Sequence, residues 1–523
     1  MAVFLNLQMH WIIGVLVILG LALVVVRRLF FSPLSKFPGP KLAAATILYE
    51  AYYDVIKHGQ YTFKIKELHK KYGGGYRRLE SMRMTNVQAG PIIRISPWEL
   101  HINDPDYYGV LYSQTSPRNK YSFFCLQFNI PGSVFSTVDH HQHRLRRQPL
   151  SPFFSKQSIL RLEPTISSMV EKLSSRINEF KRSGQPLPLR LAYAALSTDI
   201  VHLYAFNIFS NHLHSQDFSP KWNETITSVT KVTNFMKHSP WLYKVFARLP
   251  DSIMSILSPD MVLILDWQNR LRGQVQQTID EKNANIKITD GLPRTIFQSL
   301  LESNLPPEDK TVERLRMEGQ LLLGAGSDTV ANTLSVTTFY LADNPEKMLK
   351  LVRELEKAMP DPNEPARLTL VEQLPYLSAV IQEGLRLSYG VCTRLQRIAP
   401  NEVLQFHEWS IPAGTPVGMS SALMHHDESI FPDSYAFIPE RWLDQSESAR
   451  PLDHYMVAFS KGSRSCVGIN LAKAELYLTL ATVFRRYKVE LFDTVRERDV
   501  DLKHDNFLPF PSHKSRGIRA IFK

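Results

Sequence analysis

Apolar residues recur at helical spacing along most of this 523-residue chain, which predicts a mostly-α fold with a minor β-sheet. Helical patterns cover roughly residues 140–180, 190–235, 260–285, 310–343, 345–358, 371–388 and 468–487. Short strand-like runs fall at 92–95, 99–102, 402–406, 416–419 and 489–491. An uninterrupted apolar run from Trp11 to Val26 adds an N-terminal transmembrane helix to that fold.

The flanks of that run set its reading. Residues 3–7 and 29–31 extend it across a bilayer. Arg27, Arg28 and Lys36 follow it, and the first ten residues carry no Lys or Arg. The positive-inside rule then puts the body of the protein in the cytosol. A cleaved signal peptide would want a positive n-region and a small-x-small site, and neither is present. Residues 1–36 are therefore expected to be anchor and linker. Phe37-Pro-Gly-Pro40 follows as a stiff turn.

Length alone suggests about three domains. Against that prior, residues 37–523 are expected to form one large domain. At 44 % hydrophobic residues it can bury a large core. Cys125, Cys392 and Cys466 cannot all pair, which argues for a reducing compartment. The net charge of +11 suits an acidic protein partner or an anionic membrane surface. Nucleic acid is rejected, because no basic stripe interleaved with base-stacking aromatics and no nucleic-acid module is present.

Several segments carry candidate chemistry. Asp139-His-His-Gln-His143-Arg-Leu-Arg-Arg147 is dense in positive charge, as a solvated helix face would be. Gly324-Ala-Gly-Ser-Asp328-Thr329 sits mid-helix, where two glycines cost about 1 kcal/mol each relative to alanine. A helix accepts that where something approaches its backbone or where it must deform. Glu383 and Arg386 share a helix face at i,i+3. Phe437-Ile-Pro-Glu-Arg441-Trp442 is a rigid loop bearing another guanidinium. The aromatic stretches 121–128 and 241–246 suit core packing and ligand or membrane contact equally well. Phe459-Ser-Lys-Gly462-Ser-Arg464-Ser-Cys466-Val-Gly468 places one cysteine in a glycine-rich loop before an apolar helix pattern. Amide dipoles at such a helix mouth stabilise a thiolate, and two glycines let the backbone close on a flat ligand.

That last pattern, Phe-x-x-Gly-x-Arg-x-Cys-x-Gly, resembles the haem-binding signature of the cytochrome P450 family of haem-thiolate monooxygenases. The order and spacing of the other segments agree. The resemblance implies the cytochrome P450 fold and heme b with Cys466 as its axial thiolate, in a loop carrying Phe459, Gly462 and Arg464. It implies propionate contacts from Arg147, His143 (where Trp is usual), Arg397 and Arg464. Asp328 and Thr329 resemble the acid and alcohol that manage protons at the oxygen site. Glu383, Arg386 and Arg441 resemble a structural Glu/Arg/Arg lock. Residues 409–416 and the Phe-Pro-Gly-Pro turn resemble filamentous-fungal secondary-metabolite oxygenases of the trichodiene oxygenase type.

The expected function is hydroxylation or epoxidation of an apolar small molecule, a terpenoid or other secondary-metabolite intermediate, with dioxygen. No flavin or dinucleotide motif is present, so electrons come from an NADPH-dependent reductase at the endoplasmic reticulum membrane. A haem-thiolate isomerase or dehydratase, or a non-catalytic haem protein, is the rival reading. Relatives join the Lys71-Tyr-Gly73 helix end directly to the strand at 91–95. Here residues 74–90 intervene with four charges, as a surface loop or an unspliced intron.

Overall fold

The computed structural model describes residues 2–72, 91–284, 295–443 and 451–523. The insertion expected at 74–90 lies outside the described residues. Helices dominate, as the periodicity predicts. The longest, Val312–Asp343, runs through the middle of the body and is called the central helix below. Thr311 caps its first turn by accepting from the Arg314 N–H, and Asn344-Pro345 ends it. Leu189–Phe206 packs along it more extensively than any other element, and Pro259–Asn283, Pro375–Ser388 and Ile469–Arg486 flank it.

Two long helical stretches are broken. The stretch 140–180 becomes His140–Arg147, a short 3-10 turn and Lys156–Ser183. Pro149, two residues past Arg147, sets the break by denying the chain an amide donor, and Pro152 does the same inside the turn. The stretch 190–235 splits because Asn207 takes a left-handed conformation that caps Leu189–Phe206; the chain restarts at Pro220 and runs to His238.

The main sheet runs Ile92–Arg94, Leu100–Ile102, Pro416–Gly418, Arg397–Ile398, Asn119–Lys120. Three smaller sheets are present among the described residues. Most of these strands are two to four residues long and pair across large sequence distances, so they leave little period-2 signal.

The N-terminal helix Ala2–Phe30 contains an apolar span, Met9–Phe30, with none of its length buried against the body. That span is long enough to cross a membrane. Its polar end is held tightly. Arg94 donates to the Arg28 carbonyl at 3.0 Å, and Arg28 lies over the Trp98 ring at 4.9 Å. Leu34 and Phe37 are buried, and Phe37 stacks on Trp409. Gly39 has no room for a side chain, because a Cβ there would lie 2.2 Å from the Arg94 carbonyl oxygen. Arg28, Leu34 and Phe37 thus tie the end of the anchor to the sheet on both sides of the expected boundary at 36.

Candidate active site

The central helix, the Cys466 loop and Ile469–Arg486 enclose a cavity of about 330 Å³. Its apolar wall includes Phe128, Phe135, Val201, Ile226, Trp267 and Phe507. Phe128, Phe135 and Phe507 contact one another edge to face, so the aromatic stretch 121–128 helps build the wall. The stretch 241–246 forms the helix Trp241–Phe246 with Trp241 62 % exposed, outside that wall.

Cys466 sits in the loop before Ile469–Arg486, where its N–H donates to the Phe459 carbonyl at 2.9 Å. Its thiol opens onto the cavity rather than bulk solvent. Burial pushes its pKa up; the Gly468 amide and Arg147 pull it down by less. Phe459 lines the cavity, but Gly462 does not. Gly462 is a glycine for another reason: its φ is +73°, and a Cβ would lie 2.2 Å from the Tyr112 carbonyl oxygen.

One end of the cavity is strongly cationic. Arg147, Arg464, His143 and Lys120 line it. Arg147 donates to the Ser465 carbonyl at 2.5 Å. Arg464 donates to the carbonyls of Thr137, Val138 and Asp139, and its Nε has no partner. Lys120 donates to the Phe135 carbonyl. Among the described residues, none of these three cations meets a carboxylate. Burial lowers the pKa of each, bringing Arg464 down to about 9 and Lys120 well below its usual range. Burial, then Arg464 and Lys120, push His143 down to about 2, so it is a neutral donor at pH 7. Arg397 stands behind this group: it does not line the cavity, and its guanidinium lies 4.9 Å over the Tyr112 ring. Its strand pairs it with Lys120, the residue that reaches the cavity instead. Sequence reasoning missed Lys120, because a two-residue strand far from Arg397 in sequence carries no visible motif.

On the central helix the structure separates two expected partners. Thr329 lines the cavity, its hydroxyl donating to the Ala325 carbonyl at 2.8 Å. Asp328 does not reach it. Consecutive helical residues point about 100° apart, and Asp328 turns to Leu189–Phe206, where Arg190 Nη2 lies 2.8 Å from both of its oxygens. Gly326 lets these helices approach, since a Cβ there would lie 2.7 Å from Val201.

Glu383, Arg386 and Arg441 come together in one ion-paired group outside the cavity. Arg386 reaches Glu383 with Nε at 2.9 Å and Nη2 at 2.8 Å, both side chains fully buried. Arg441 adds a longer contact at 3.2 Å, and the Trp442 indole and Ile438 amide donate at 2.9 Å. A second buried acid was overlooked in the sequence. Glu475 lines the cavity, accepts from Ser197 at 2.6 Å, and is pushed up to about 8 by burial. Its position between Leu471 and Leu478, at i+4 and i−3, marks it as a carboxyl on a buried face.

A model of the cytochrome P450 family matches residues 57–514. The chain is 50 % identical over 508 residues to the cytochrome P450 monooxygenase MO6277 of Ascocoryne sarcoides, covering 95 % of this chain and 96 % of that protein. It is 42 % identical over 496 residues to the tryptophan 6-hydroxylase fscE of Fusarium equiseti, covering 95 % and 93 %. It is also 42 % identical over 514 residues to the cytochrome P450 monooxygenase tpcC of Cochliobolus heterostrophus, again covering 95 % and 93 %. Proteins of this family bind haem through a cysteine thiolate and take electrons from a reductase. The cavity fits that group: a thiol opens onto it, and cations without carboxylate partners stand ready for two propionates. The chain belongs to the cytochrome P450 family of haem-thiolate monooxygenases.

Proposed function

We propose that this protein hydroxylates or epoxidises an apolar small molecule, a terpenoid or other secondary-metabolite intermediate, inside the cavity above Cys466. One observation carries the reading: a cysteine thiol and a group of cations without carboxylate partners face one cavity whose remaining wall is largely apolar. Cys466 is the iron ligand. Arg147, Arg464 and Lys120 hold the haem propionates as charged donors, His143 as a neutral one, and Arg397 raises the positive potential from behind. Once bound, the haem supplies dioxygen activation, which thiolate electron donation favours.

The chain's own residues manage protons and position. Thr329 can swing its hydroxyl from the Ala325 carbonyl toward the cavity and present a proton there. Asp328 acts at one remove, fixing Arg190 and through it the spacing of two helices. Glu383, Arg386 and Arg441 have a structural role. Residues 1–36 anchor the chain in the endoplasmic reticulum membrane as a single pass, with residues 37–523 as the cytosolic catalytic domain. The electron donor is the NADPH-dependent flavoprotein reductase of that membrane, for which the charge of +11 offers attraction.

The test is the absorption of the reduced, carbon monoxide-bound protein. The wild type should show the thiolate-type band and Cys466→Ala should lack it. A band that survives the substitution refutes the ligand assignment. Product identification after co-expression with a reductase in a strain that makes the scaffold then defines the substrate.

A further inference from the structure

The turn at 133–139 does two things at once. Val134 and Phe135 line the cavity. Its carbonyls hold two of the cavity's cations: that of Phe135 accepts from Lys120 Nζ, and those of Thr137, Val138 and Asp139 accept from Arg464. A shift of this turn therefore shifts both cations. The turn is braced from within, where the Ser133 carbonyl accepts from the Thr137 hydroxyl at 2.7 Å and from the Thr137 amide at 3.1 Å.

It is also gripped from outside by four charged side chains in alternating order. Thr137 Oγ1 accepts from Arg146 Nη1 at 2.9 Å. Arg146 Nε and Nη2 reach Asp309 Oδ1 at 2.8 and 2.7 Å. The same oxygen takes Arg314 Nε at 3.3 Å. Arg314 Nη1 donates to Glu318 Oε2 at 2.6 Å, and that oxygen accepts the Val134 N–H at 3.1 Å. The chain of charges thus starts and ends on one turn, at Thr137 and at Val134. In sequence those two grips bracket the Phe135 carbonyl and precede the three carbonyls that hold Arg464. Asp309, Arg314 and Glu318 are each 5 % exposed or less. Two positive and two negative charges cancel, and every pair is hydrogen-bonded, which is what burial of such groups demands. Gly132 adds a steric stop, since a Cβ there would lie 2.9 Å from Met317 Sδ and 3.1 Å from Arg314 Cδ. Arg314, Met317 and Glu318 belong to the central helix, so the turn is held in register with the helix that carries Thr329.

We propose that Arg146, Asp309, Arg314 and Glu318 are positioning residues for the cofactor: through the turn they aim Lys120 and Arg464 at the haem propionates. None of the four lines the cavity, so they act only through the turn. This rests on the reading of those two cations as propionate ligands.

The experiment uses the haem-loaded full chain and reads the rate of haem transfer to excess apomyoglobin, with the urea unfolding midpoint measured beside it. Thr137→Val removes the hydroxyl that Arg146 uses and keeps every charge; Thr137→Ser restores it. Glu318→Gln keeps an acceptor for the Val134 amide and removes the charge that faces Arg314. Thr137→Val and Glu318→Gln should each speed haem loss about three- to tenfold, as the loss of one hydrogen bond allows. Thr137→Ser should match wild type. In a chain that already carries Lys120→Met and Arg464→Met, neither substitution should speed loss further, because the cations held by the turn are gone. Haem loss that is unchanged in Thr137→Val and Glu318→Gln, with only the unfolding midpoint lowered, makes the four charges merely structural and overturns the proposal. An acceleration just as large in the double-methionine chain overturns it too. Should Glu318→Gln give no haem-loaded protein, the Thr137→Val and Thr137→Ser pair decides alone. If Lys120→Met with Arg464→Met leaves haem loss at the wild-type rate, the propionate reading itself falls, and this inference with it.

Discussion

Glu383→Ala should abolish haem loading by unfolding the protein rather than by disabling a loaded enzyme. The carboxylate accepts from Arg386, Arg441, Trp442 and Ile438, all at 3.2 Å or less. Removing one partner of a buried ion pair costs about 3–5 kcal/mol. Here Arg386 keeps the carbonyls of His425, Ser434 and Ala436, which points to the lower end. The indole and amide donors that lose their acceptor add about 1 kcal/mol or more each. The sum, about 5 kcal/mol, rivals the whole stability of a marginal domain at about 5–15 kcal/mol. Arg441→Ala is gentler, because it removes one long contact to Glu383 and one to the Pro432 carbonyl and leaves Glu383 well bonded. Its cost should be about 1–2 kcal/mol. The assay is soluble haem content per protein, followed by urea unfolding of whatever folds. Glu383→Ala with normal haem loading and a midpoint near wild type would refute the lock and make a catalytic role necessary.

Thr329→Ala should keep haem content and stability while uncoupling NADPH oxidation from product and releasing peroxide; unchanged product per NADPH would remove Thr329 from proton handling. Glu475→Gln tests the buried acid. Its pKa rises from 4.5 unfolded to about 8 folded, so the folded state holds a proton the unfolded state has released, and stability falls as pH rises from about 4.5 to about 8. The glutamine variant should therefore gain thermal stability over wild type at pH 8 and match it near pH 4.5; a constant difference across that range would contradict the assignment. Lys120→Met should lower haem affinity, seen as faster haem loss to an acceptor protein, with little effect on the apoprotein because it removes a buried charge that has no carboxylate partner; unchanged haem loss would take Lys120 out of the cradle. Truncation after residue 26 should preserve the body, whereas truncation after residue 36 should cost about 2 kcal/mol by removing buried Leu34 and the Arg28 carbonyl that Arg94 uses. Both truncated forms should bind anionic liposomes weakly through exposed Trp241, Ile256 and Leu257; equal thermal midpoints would show that residues 27–36 are not part of the fold.

The sequence by itself determined the fold class, the long helices, the apolar span, the cysteine loop and the family that the loop resembles. These rest on local signals: helical period, proline stops, a run of apolar residues, and a motif ten residues long. The Glu383–Arg386 pair was legible for the same reason, since i,i+3 spacing puts both on one face. Only the tertiary structure decided what depends on chain segments far apart. Asp328 and Thr329 are adjacent in sequence, yet the 100° helical step sends one to Arg190 and the other to the cavity. Arg397 looked like a ligand contact, but pairing with the strand at 119–120 put Lys120 on the cavity wall and left Arg397 behind it. Gly462 read as room for a flat ligand and proved to be room for the Tyr112 carbonyl.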